Sequence, residues 1–190
     1  MNEPRAGEQD RMNPPPIGEA LEAAWAAYKK DYAAIAIASL CAMVFGLVPL
    51  VGGGLVMAGL MKVGLKALRG ESPEPADGFV GLQAPADHIM MGLLQVAGLL
   101  ACCVGVYVTH AVFFPGSALI LEKGMDWNRA KDVCVQRIWP NWGAWTLFTF
   151  VVGLVGGSGS LLCGIGVIAT LPLAGLAMAY AYEHSIAPAL

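Results

Sequence analysis

Three stretches of this chain, residues 32–61, 88–121 and 138–182, carry no Asp, Glu, Lys or Arg. Each is longer than the roughly 20 apolar residues with which an α-helix crosses about 30 Å of hydrocarbon. Each is also interrupted near its middle by residues that break helices. The interruptions run from Pro49 through Gly52, Gly53 and Gly54, from Cys103 to Gly105, and from Gly153 through Gly157 to Ser160. A long apolar block broken at its centre reads as two helices folded back on each other. The expected fold is therefore all-α: a polytopic membrane protein with six transmembrane helices in three helical hairpins at about 31–68, 86–122 and 141–182. The second and fifth segments, 53–68 and 141–156, are short for a full crossing, so a re-entrant or interface-anchored helix competes there.

Composition supports this reading. Hydrophobic residues make up 57% of the chain and charged residues 13%, against roughly 45–50% and about 25% in soluble domains. A formal charge of -3 leaves no basic excess to hold a polyanion, so nucleic acid is excluded as a partner. The eleven bases are Arg5, Arg11, Lys29, Lys30, Lys62, Lys66, Arg69, Lys123, Arg129, Lys131 and Arg137, and the hairpin reading puts all of them on one side. The excess of Lys and Arg in cytoplasmic loops then makes both termini cytoplasmic, in a bacterial inner membrane. Lys62 and Lys66 are expected to reach the headgroups from aliphatic stems lying in lipid.

Outside the blocks, Ile17, Leu21, Ala24, Trp25, Tyr28 and Tyr32 recur at helical spacing and predict an amphipathic helix over 17–30. A second is expected over 126–139, with Asp126 as N-cap and a stripe of Trp127, Ala130, Val133, Cys134 and Ile138. Both suit the headgroup layer; the alternative is a helix packed on the protein itself. A shorter segment at Phe79, Val80 and Leu82 follows a proline-spaced linker, so a unit of helix plus hairpin is expected three times in parallel orientation, on hydropathy and break position. Residues 1–16 read as a disordered cytoplasmic tail without a cleavable signal peptide, 17–184 as one membrane domain and 185–190 as a short C-terminal tail.

The run from Phe79 to Tyr182 contains Gly105, Tyr107, Pro115, Asn128-Arg129-Ala130, Cys163-Gly164-Ile165-Gly166, Thr170, Pro172, Ala179 and Tyr180. In these features it resembles the glycerophosphoryl diester phosphodiesterase membrane-domain family and that family's bacterial integral-membrane relatives. The resemblance implies a fold and a membrane address. The family's hydrolytic domain is a separate soluble barrel that this chain does not contain, so no catalytic residue carries over. His110 stands where relatives tend to carry a basic residue.

Several motifs admit a plain reading. Gly164, Gly166 and Ala169 match G-x-G-x-x-A, but no strand precedes them, so close helix packing explains them better than a dinucleotide. Gly153 and Gly157 form a G-x-x-x-G that serves either backbone approach or a turn. Gly105, Pro115 and Pro172 are further packing or hinge positions. Cys41, Cys102, Cys103, Cys134 and Cys163 show no metal spacing, although Cys163 can reach Cys102 or Cys103 in an oxidising compartment. Gln95 and His110 are the most polar side chains inside the spans and form a candidate intramembrane polar site.

With no paired carboxylates, metal ligands, phosphate loop or triad, the expected role is a non-enzymatic scaffold, accessory or envelope-maintenance component without a cofactor. Its expected partners are membrane lipids and another membrane protein or a second copy of itself. The alternative is a small-solute or proton-linked transporter or channel lined by Gln95, His110, Thr146 and Thr149; a membrane-embedded enzyme acting on lipid comes third.

Overall fold

The computed structural model describes residues 13–47, 52–161 and 166–189, and every regular element among them is helical. Helix α1 (Ile17–Lys30) starts directly after the prolines and ends at Asp31, whose non-helical backbone breaks the ladder. The Asp31 carboxylate accepts from the Ala34 amide at 3.3 Å and so caps helix α2 (Tyr32–Met43), which leaves α1 at 105°. Three alanines, Ala20, Ala24 and Ala27, form the buried face of α1, which packs on the last helix. Trp25 and Tyr32 stand 50% and 65% exposed. The expected apolar stripe is thus split: Ile17, Leu21, Ala24 and Tyr28 pack on the protein, while Trp25 faces outward beside Lys29.

Helix α2 tightens into a 3-10 turn at Val44–Leu47, and helix α3 (Gly52–Leu68) returns alongside it. Gly70, at φ +80°, ends α3 in the left-handed conformation that glycine adopts without a Cβ clash. The expected linker, residues 72–76, gives way at Pro75 to a helix that includes the short segment expected at Phe79, Val80 and Leu82. Pro75–Gln83 forms a 3-10 helix, capped reciprocally by Glu74 and Asp77, that wedges between α2 and α3. It enters there because Gly59 and Gly78 lack side chains: a Cβ on Gly59 would meet the Gly78 carbonyl at 2.5 Å and Ala42 Cβ at 2.6 Å. Lys66 Nζ reaches Asp77 of this wedge at 2.8 Å.

Helix α4 (Pro85–Val96) runs through a 3-10 turn at Ala97–Ala101 into α5 (Cys102–Phe113). The break therefore comes before Cys103–Gly105, and Gly105 is helical. Pro115, without an N–H, separates α5 from α6 (Gly116–Lys123), and Gly124 at φ +60° closes α6. Helix α7 (Trp127–Ile138) continues by way of a short turn at Pro140 into α8 (Trp142–Gly157), and the Ser158–Leu161 turn follows. Helix α9 (Val167–Ala181) contains Pro172 and ends in a π-turn at Tyr182–Ile186. Asp126 occupies the N-cap position of α7 but makes no side-chain cap bond. Asp87, forty residues earlier in the first turn of α4, accepts from the Trp127 amide at 3.1 Å in its place.

Two helical stretches, Gly105–Lys123 and Trp127–Ser160, are long and apolar enough to cross a membrane, and the bent pair α1–α2 makes a third if taken as one span. Sequence neighbours pack as pairs: α2 on α3, α4 on α5, α8 on α9. Helix α9 also packs heavily on α3, where Gly64 faces Ala179 and Gly175. The contacts α3–α4, α4–α5, α5–α8, α8–α9 and α9–α3 close a ring of five helices.

The pairs α4–α5 and α8–α9 share one internal pattern. Thr109 donates to the Gln95 carbonyl at 2.6 Å, and Thr170 donates to the Gly156 carbonyl at 2.6 Å. Gly98 lies against Gly105 as Gly159 lies against Gly166. All four correspondences fall at one sequence offset, that from Thr109 to Thr170. At that offset eight of the eighteen residues in 92–109 are identical in 153–170: Gly92, Leu93, Gly98, Leu100, Cys102, Gly105, Val106 and Thr109 match Gly153, Leu154, Gly159, Leu161, Cys163, Gly166, Val167 and Thr170. Gly46 and Gly53 keep the same seven-residue glycine spacing between α2 and α3.

Candidate functional site

The ring encloses a cavity of about 460 Å³. Val56, Met57 and Leu60 of α3, Val106 of α5, and Leu171, Ala174, Gly175 and Met178 of α9 form its apolar wall, and Gly153 and Gly156 contribute the α8 side. Gly46, Gly53 and Gly153 are exposed and form an open rim, whereas Met57, Gln95, Gly156 and Gly175 are buried in the floor. Glycine creates much of this space. A Cβ on Gly53 or Gly153 would meet nothing within 4 Å.

Two polar side chains share the wall: Gln95 of α4 and His110 of α5. The ring thus brings together the pair singled out from sequence. Gln95 Nε2 donates to the Phe113 carbonyl at 3.3 Å, one turn beyond His110. That bond engages the amide group and leaves its carbonyl oxygen available. The His110 imidazole makes no hydrogen bond among the described residues.

Thr146 and Thr149 do not join this wall. Their hydroxyls return to their own helix, to Trp142 O at 2.8 Å and Trp145 O at 3.0 Å. The cavity is consequently apolar with one polar patch, and a continuous polar path through it is missing among the described residues. The G-x-x-x-G at Gly153 and Gly157 is not a packing seam: neither Cβ position has a neighbour within 4 Å, and it is Gly156 that lies against Ala174 Cβ, at 2.8 Å. Gly54 faces the His88 carbonyl and Gly92, and Gly52 faces the Phe45 carbonyl. Pro115 and Pro172 are buried. Gly164, Cys163 and the side chains of Cys102 and Cys103 lie outside what is described, and so does the expected disulfide.

Other polar groups escaped the sequence reading. His88, one residue from the capping Asp87, is fully buried, and neither ring nitrogen has a hydrogen-bond partner. Arg69 at the end of α3 contacts Glu122 at the end of α6 at 2.6 Å and Glu183 after α9 at 2.7 Å. The hydrogen bond the guanidinium donates to Glu122, and then the one it donates to Glu183, holds it further above its usual range against the opposing effect of burial. Ser72 bonds Asp31, and Tyr180 bonds Glu19. These contacts gather the start of α2 and the ends of α3, α6 and α9 at one end of the molecule. Sequence separation hid them, since partners such as Arg69 and Glu183 are 114 residues apart.

No family model, curated protein or solved structure matches this chain, so nothing among them links it to the phosphodiesterase membrane family.

Proposed function

We propose that the chain is a multi-pass protein of the bacterial inner membrane that crosses six times as three repeated hairpins, with both termini in the cytoplasm. In this reading it serves as a non-enzymatic scaffold or accessory component. The observation that carries the reading is the inverted distribution of side chains. Ile37, Leu40, Leu147, Phe150 and Leu154 point outward from α2 and α8, while charged pairs gather at one end. Acyl chains solvate such a surface at no cost; water does so only at about 25 cal/mol per Å². Short helices reach across with the help of their 3-10 extensions, as α2 does with Val44–Leu47 and α4 with Ala97–Ala101.

The apolar wall around the single polar patch favours this role over conduction. An ion or polar solute crossing the ring would lose its hydration shell and find one hydrogen-bonding patch in return. Two measurements test the reading. Alkaline carbonate should leave the protein in the membrane pellet, and reporters fused to each terminus should both register the cytoplasm. Release by carbonate, or reporters on opposite sides, overturns it.

A further inference from the structure

The repeated helix pairs allow a comparison that a single pair would not. Gln95 and His110 line the cavity from α4 and α5; at the same register in the sister pair stand Gly156 and Leu171, which also line it. The sister pair makes the same glycine approach and the same Thr-to-carbonyl bond without either polar group. The local fold therefore does not require Gln95 or His110. Placing an amide and an imidazole on an apolar wall costs solvation, and the Phe113 contact engages only part of their hydrogen-bonding capacity.

We propose that this cavity binds a single-chain, lipid-like molecule, with its hydrocarbon against α3, α8 and α9 and an uncharged hydroxyl head hydrogen-bonded to His110 and Gln95. Four features select this class. The volume is about three times the ~150 Å³ that accommodates benzene, so it takes a chain of roughly 18 heavy atoms. It also lies within the range of roughly 300–1,000 Å³ usual for small-molecule sites. Among the described residues no charged side chain forms the wall, which disfavours an ionised head. The patch supplies a ring nitrogen and an amide, donors and acceptors together, which suits a hydroxyl that both gives and accepts a hydrogen bond. The exposed glycine rim leaves an entrance. This assignment rests on the membrane reading, because the bilayer is the source of such molecules.

A photoreactive tetradecanol carrying a diazirine in its chain, irradiated in native vesicles and mapped by mass spectrometry, tests the proposal. Adducts are expected on cavity residues such as Met57 and Met178. Excess tetradecanol should suppress them, and tetradecane should compete more than about fivefold less well, since one buried hydrogen bond alone supplies about that factor. In His110→Leu, which installs the residue of the sister pair, the alcohol's advantage over the alkane should fall by about fivefold, because only the Gln95 bond remains. Gly153→Leu and, as a second variant, Gly53→Leu each extend a side chain into the space without a first-atom clash and should abolish cavity adducts while thermal unfolding and elution remain as in the parent. Adducts confined to the outward faces, labelling unchanged in a folded filling variant, or equal competition by alkane and alcohol in the parent protein would each overturn the proposal. Carbonate extraction of the same vesicles reports separately on the membrane reading, so a failed site and a failed topology give different results.

Discussion

At the scale of single residues, polar groups here are settled by distant partners. Asp87 caps α7 across forty residues of chain, whereas Asp126, the N-cap by position, bonds nothing there. Asp87→Ala should lower stability by about 1 kcal/mol, the usual cost of losing a cap, while Asp126→Ala should cost much less. Thermal unfolding in detergent compares the two. Cys134 offers a second check. It is buried on the inner face of α7, and burial pushes its thiol well above the ordinary thiol range. The neutral thiol therefore persists as pH rises, and in a variant retaining only this cysteine maleimide should fail to label the folded protein even at pH about 9, above the unperturbed thiol value of about 8.5. Denaturant should restore labelling. The unfolded chain ionises first, so this residue's contribution to stability falls as pH climbs past that unfolded value.

At the scale of elements, helices come together wherever a side chain is missing. Gly54 of α3 lies against the His88 carbonyl and Gly92 of α4, and backbone cannot retreat as a flexible side chain can. Gly54→Ala is expected to prevent recovery of a monodisperse, cooperatively unfolding protein. Gly153→Ala meets open space and should be neutral or stabilising by up to about 1 kcal/mol through helix propensity. Equal behaviour of the two alanine variants in size-exclusion and unfolding experiments would show that the α3–α4 crossing is misplaced. The same principle explains the wedge at Pro75–Gln83: its position depends on Gly78 meeting Ala38, Cys41 and Ala42 together.

For the whole molecule, Arg69 links the ends of α3, α6 and the segment after α9. Its side chain is 42% exposed, so solvent screening limits each pair, and Arg69→Ala should cost about 1 kcal/mol in total. Arg69→Lys should recover part of this, since an ammonium cannot present the forked guanidinium donors to two carboxylates at once. Lys131→Ala, which removes a pair with the adjacent Asp132, should change little. A loss from Arg69→Ala no larger than that from Lys131→Ala would mean that the three ends are not held together by this cluster. The ring closed by α3, α4, α5, α8 and α9 needs these ends aligned, because its cavity is bounded by helices drawn from all three apolar blocks.

Sequence alone determined that the chain is helical, where its apolar blocks begin and end, and which two side chains, Gln95 and His110, are out of place in them. These are local properties, readable from hydropathy and from residues that stop helices. Register within the repeat was present in the sequence too, but only the matching bonds of Thr109 and Thr170 picked out the offset at which Gly92–Thr109 and Gly153–Thr170 coincide. Tertiary structure decided the rest: that Trp25 faces outward while Ala24 is buried, that Asp87 caps a helix forty residues on, that Gly156 and not Gly153 makes the α8–α9 contact, and that Gln95 and His110 share one space. A cavity is the volume that five packed helices fail to fill. It depends on the relative placement of all their surfaces, and no periodicity along one strand of sequence encodes that sum.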